Sequence, residues 1–232
     1  MKSFTILLIF TCLELFNNFK GVSSTSVAQV NMNFKYNCLN FLQQDSIMQM
    51  KKNAISDCNY SLEEALKGSS APIEIKNNLA LVDLYYYSFD NKIHKGQIVI
   101  HRLLAKDIIE VFDLILAKKF PIEKIIPIIA YNWSDDLSMI DNNTSSFNYR
   151  VVAGTNNISN HAFGQAIDIN PKFNPYIKGN HISPEGAKYD SKVPGTIAAD
   201  SFIVKEFKIR GWSWGGDWNT RKDYQHFEKI ID

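Results

Sequence analysis

Three observations agree with an α+β domain without by themselves establishing it. Two β-rich runs, residues 79–89 and 97–101, flank the turn residues of 90–96 and suggest a hairpin. From Arg102 to Lys119 the residues Leu103, Leu104, Ile108, Phe112 and Ile115 recur at helical spacing, and Pro121 stops the pattern. Strand-like runs at 124–131 and 166–170 and a second helical stretch over 196–209, ended by Gly211, complete the set.

At 232 residues the chain holds one ordinary domain with a full core plus some extra at one end. A formal net charge of +1, with acids and bases interspersed, creates no global field that would recruit nucleic acid or an anionic membrane. Lys2, an apolar run from Phe4 to Phe16 and the small residues of 21–26 read as a secretory signal peptide over 1–24, cut near Ser23 to Thr25. An exported chain, periplasmic or secreted and without a stable membrane span after cleavage, is therefore expected. A retained anchor would want about 20 apolar residues and meets Glu14 and Asn17 first. A lipoprotein signal at Cys12 has poor neighbours in Phe10 and Thr11.

Removal of the signal would leave Cys38 and Cys58, an even count in an exported chain, so a disulfide between them is one reading and two reduced, packed thiols the other. Every cysteine precedes residue 59, so a metal site further on must use His, Asp or Glu. Residues 25–71 form a polar extension, with a short helix around 60–68 and a linker at 68–72. The main domain is expected over 72–232. Within it, 134–146 reads as a long polar loop of functional use.

Two stretches carry chemistry. In residues 159–171, His161 and Asp168 lie either side of Gly164. Alternation sends Ile167 and Ile169 to the core and Asp168 to the other face, while Gly164 lets His161 fold over beside it. Alone, such a pair is more often a solvated contact than a ligand set. In 211–228, Asp223 precedes His226 by three residues, which on one continuous strand would oppose them. Both reach one site only if Asp223 sits in the turn of 219–223 and His226 on the strand after it, with Phe227 anchoring the other face. Trp212, Trp214, Trp218 and the Gly215–Gly216 pair fit a cleft wall better than a connector.

Two imidazoles and one carboxylate, from His161, Asp168 and His226, are what a catalytic zinc uses, with the fourth position left to water. A structural site would usually close with a fourth protein ligand, commonly thiolate. The formal charge left on zinc is +1, enough to polarise a carbonyl, and Asp223 is then a general base that serves the leaving amine in turn.

The pattern S-x-H-x-x-G-x-A-x-D at Ser159, His161, Gly164, Ala166 and Asp168, followed by W-x-W-G-G-D-W and D-Y-Q-H, resembles the D-alanyl-D-alanine carboxypeptidase family of zinc peptidases, especially the branch with phage L-alanyl-D-glutamate endolysins. The resemblance spans roughly 72–232. It implies a small antiparallel sheet carrying the zinc site with helices on one side, zinc held by His161, Asp168 and His226, Asp223 as acid/base, and the peptidoglycan stem peptide as substrate. Arg150 is expected to hold a substrate carboxylate or the developing oxyanion, and Ser159, Tyr149 and Trp214 to touch substrate. His94 and His101 read as structural, and His181 as a loop residue over the cleft and first substitute for Asp168. Carboxypeptidase and endopeptidase readings both stand, and a zinc-stabilised, non-catalytic cell-wall binding or signalling module is the alternative. A monomer is expected.

Overall fold

A computed structural model describes residues 48–49 and 51–231. The signal segment, most of the polar extension and Cys38 lie outside the described residues. Cys58 is half-buried and has no disulfide partner among the described residues, its Sγ 3.9 Å from the Ile125 carbonyl, and burial pushes its thiol up to about 11.

The described chain opens with strand β1 (Ile55–Ser56) and helices α1 (Leu62–Ala65) and α2 (Ile73–Lys76). Ser61 caps α1, accepting from the Glu64 amide while the Glu64 carboxylate accepts from the Ser61 amide. Ala65, Ala71 and Leu79 share a buried cluster with Val99 and Phe147, so the 68–72 stretch expected as a linker is part of the packed unit.

Strands β2 (Leu79–Tyr87) and β3 (Ile93–His101) form the expected hairpin, paired in register from Leu79 opposite His101 to Tyr87 opposite Ile93. Its turn is shorter than the sequence suggested, because 93–96 already pair. β1 adds in parallel on the far side of β3. A 3-10 turn at Arg102–Leu104 leads into α3 (Ala105–Ala117), which lays Ile108, Val111, Phe112, Ile115 and Leu116 into the core against β2.

Three further expectations differ from the structure. The run 124–131 is a strand only at β4 (Lys124–Ile125). Pro127 supplies no N–H for a ladder, and the chain turns into a 3-10 segment at Ile128–Tyr131. The 134–146 loop contains α4 (Asp135–Ile140), capped by Ser134 and followed by β5 (Asn143–Thr144), which pairs with β4. The second helix begins later than 196.

Beyond α4 come β6 (Ala166–Asp168), β7 (Tyr176–Lys178), β8 (His181–Ser183) and α5 (Phe202–Ile209). Ser201 caps α5, accepting from the Val204 amide, while Thr196 and Ile197 are buried and non-helical, the Ile197 amide donating to Asn174 Oδ1. The last strands are β9 (Ser213–Trp214), β10 (Lys222–Asp223) and β11 (His226–Glu228). They complete two small antiparallel sheets, β6–β11–β9 and β10–β7–β8. Phe227 of β11 stacks on Phe207 of α5 at 4.1 Å, and α5 also meets α3. The architecture is thus mixed, with small sheets and few helices. Among the described residues no helix is long and apolar enough to cross a membrane.

Candidate metal centre

β6 and β11 run antiparallel with Asp168 opposite His226, Ile167 opposite Phe227 and Ala166 opposite Glu228. Directly opposed residues share a face of the sheet. Ile167 and Phe227 therefore go together into the core, and Asp168 and His226 emerge together on the other side, Asp168 Oδ1 standing 3.0 Å from His226 Nδ1. The third side chain arrives from a 3-10 turn at Asn160–Phe163, where Ser159 Oγ accepts the His161 amide and Gly164 ends the turn with a φ of 64°.

His161 Nδ1 donates to the Ser146 carbonyl at 2.6 Å, which leaves Nε2 with its lone pair facing inward. That Nε2 lies 3.2 Å from Asp168 Oδ2 and 3.2 Å from His226 Nδ1. Ser146 belongs to a segment fixed on the free edge of β6, since Ser145 and Asp168 exchange backbone hydrogen bonds and Ser146 Oγ donates to the Ala166 carbonyl. Gly164 is required twice over. Its positive φ disfavours other residues, and a Cβ there would stand 2.6 Å from the His101 amide nitrogen and 2.8 Å from Leu79 Cδ2.

Burial alone would raise the Asp168 carboxyl, but the charge and hydrogen bonds of His161 and His226 outweigh it and hold it well below the usual carboxylate range. For His226, burial would lower the imidazolium, yet hydrogen bonds to Asp168 and Glu228 raise it to about 10. Glu228 is brought down to about 2, chiefly by its bond from His226. The cluster is one that holds positive charge.

Among the described residues, His161, Asp168 and His226 form a buried group whose donor atoms converge. Ligands at about 2.0–2.2 Å in a tetrahedron lie roughly 3.3–3.6 Å apart. The separations of 3.0–3.2 Å here are close to that, so the donor set fits a small divalent cation.

Asp223 lies on β10, opposite Tyr176 of β7, rather than in the turn before His226; Tyr224 and Gln225 then carry the chain to β11. Gly215 makes room for it, since a Cβ there would sit 2.8 Å from Asp223 Cβ. The Gln225 amide donates to Asp223 Oδ1 at 3.2 Å. Burial pushes the Asp223 carboxyl up to about 7, against the charge of His226 and assisted by the negative charge of Asp168.

The remaining expected site residues are placed differently. Trp214 is a correction: it is buried in the core, with its indole N–H on the Tyr224 carbonyl and its ring stacked on Phe227, so it presents almost no surface to a ligand. Its neighbour Trp218 is half-buried, with its ring centroid 5.5 Å from that of His226. Ser159 is buried and occupied as the cap of the His161 turn. Tyr149 is half-buried against Phe147's cluster. Arg150 is paired with Asp135 at 2.7 Å, while its backbone carbonyl accepts the Ser159 amide beside the His161 turn. His181 is exposed on β8 and outside the convergent group.

Sequence reasoning missed Glu228 and Ser146. Glu228 carried a readable signal, since residues two apart on a strand share a face. Ser146 acts through its backbone carbonyl and had none.

Residues 153–229 match the family model described as D-alanyl-D-alanine carboxypeptidase, the family that the motifs resembled. The matched segment contains His161, Asp168, Asp223, His226 and Glu228, and begins just after Arg150. No curated protein and no solved structure matches the chain.

Proposed function

We propose that this chain is a zinc-dependent peptidase that hydrolyses a peptide bond in the stem peptide of bacterial peptidoglycan, within a domain of the D-alanyl-D-alanine carboxypeptidase fold that includes the expected 72–232 and the residues before it that pack into the same unit. The observation that carries this reading is the register of β6 on β11, which puts Asp168 and His226 on one face beside the bare Nε2 of His161. The family match over 153–229 supports the substrate class.

His161 would hold the metal through Nε2, His226 through Nδ1 and Asp168 through its carboxylate. When bound, zinc supplies Lewis acidity to the scissile carbonyl and to the attacking water. Asp223, with a carboxyl raised to about 7, accepts the proton of that water and delivers it to the departing amine nitrogen. Trp218 stands beside His226 as one wall of the proposed site. Arg150, oriented by Asp135, is the residue assigned to a carboxylate of the substrate. Both a terminal D-Ala carboxylate and the side carboxylate of D-Glu satisfy that role, so carboxypeptidase and L-alanyl-D-glutamate endopeptidase activities are the two forms of the proposal. An exported protein, periplasmic or secreted, is the matching destination.

Digestion of purified peptidoglycan with zinc-loaded protein, followed by mass analysis, tests it. Loss of one terminal alanine identifies the carboxypeptidase, and a stem released whole from L-Ala identifies the endopeptidase. Intact stems after prolonged digestion, with zinc bound, would overturn the reading.

A further inference from the structure

We infer that Glu228 is a positioning residue for the metal centre, one that selects which nitrogen of His226 faces the cation and ties together the two elements carrying the histidines. The inference rests on the zinc site of the proposed function. Glu228 Oε2 accepts from His226 Nε2 at 3.0 Å and from the Asn160 side-chain amide at 2.7 Å. His226 sits on β11, and Asn160 opens the turn that carries His161. One carboxylate thus links the two ligand-bearing elements, which lie more than sixty residues apart in the chain.

Several features single out this carboxylate. Glu228 is two residues beyond His226 on the same short strand, so their side chains leave the same face. Across the strand pair it faces Ala166, where a larger side chain would compete for that face. With Nε2–H committed to Glu228, the ring presents Nδ1 to Asp168 and to His161 Nε2. A histidine ligand whose far nitrogen is bound to a carboxylate is fixed in orientation and is a more basic donor. Glu228 also adds a second negative charge to the cluster beyond Asp168. It strengthens cation retention while reducing the net positive charge available to polarise a substrate.

The test uses the full chain as wild type, Glu228→Ala and Glu228→Gln, with zinc affinity measured by chelator competition and the fold of each metal-free protein checked by circular dichroism and melting. Glu228→Ala is expected to bind zinc about 10- to 100-fold more weakly than wild type. Glu228→Gln, which keeps an oxygen acceptor for Nε2–H but no charge, is expected to recover part of that loss. A purely structural tether would lower the melting temperature of the metal-free variants and leave zinc affinity of the folded protein untouched. Equal affinity in wild type and both variants overturns the role of Glu228 and leaves the metal centre standing. A wild type that binds no zinc overturns both. Should the alanine variant not fold, the glutamine variant decides, and wild-type affinity in it overturns the inference.

Discussion

Asp168 and His226 stand directly opposite each other on β6 and β11, and their side chains meet at 3.0 Å. The pairing makes the carboxylate both a candidate ligand and, with Glu228, a group that favours the charged form of the ring. Asp168→Asn preserves size and the strand pair but removes the charge. Zinc content after dialysis should fall from one per chain to near none, with affinity reduced beyond the roughly hundredfold limit usual for an outer-shell partner. Metal analysis by plasma emission measures it, and a variant that keeps stoichiometric zinc would remove Asp168 from the ligand set.

Asp223 should separate chemistry from metal binding. Asp223→Asn is expected to lose about 10²- to 10⁴-fold in kcat with zinc content unchanged. As a base the group works deprotonated, so activity rises with pH through its value. Burial raises that value from the ordinary 3.8 to about 7, and a nearby dication would lower it from there. The acid limb of kcat/KM should titrate in that interval in the wild type and be missing from the residual activity of Asp223→Asn.

The two tryptophans flanking the glycine pair should behave oppositely. Trp214→Ala empties a core site and is expected to destabilise by about 3–5 kcal/mol. Trp218→Ala should leave unfolding by urea nearly unchanged and lower kcat/KM roughly tenfold, the equivalent of about 1.4 kcal/mol. Reversal of these effects would return Trp214 to the cleft wall.

The hairpin carries its own pH dependence. His94 is held between Asp57, 2.8 Å from Nδ1, and Asp90, 3.2 Å from Nε2, and its ring stacks on Tyr86, whose hydroxyl donates to Asp57. Burial would lower the imidazolium, but the two carboxylates outweigh it and raise it above 6.5. A raised folded value means that the stabilisation is complete below 6.5 and disappears as pH rises through the folded value. The melting-temperature gap between wild type and His94→Gln should therefore be larger at about pH 5.5 than at about pH 9. A gap that widens with pH would reverse the assignment.

Much of the fold and of the candidate metal centre is readable in the chain because the signals are local. The hairpin and α3 follow from apolar periodicity, and the histidines and aspartates follow from spacing around Gly164 and the Trp-Gly segment. Ser134 with Asp135 and Asp136 is an equally local helix start, obscured by the polar run of 141–146 after the helix. The late start of α5 depends on Asn174 capturing the Ile197 amide, a contact between distant segments that no periodicity encodes. The same holds for Trp214 and Trp218. Strand pairing, through Trp214 opposite Phe227, decides which ring is buried, and composition does not.

Gly164 donates nothing chemical, yet its carbonyl receives the His101 amide, and the backbone at the end of the hairpin lies where a side chain would be. The turn presenting the first imidazole is seated directly on the longest strand pair, main chain on main chain, with no cushion that a neighbouring substitution could adjust. A library randomised at this one codon and selected for zinc retention should return glycine alone, whereas Gly154 and Gly179, whose surroundings are open, should admit asparagine.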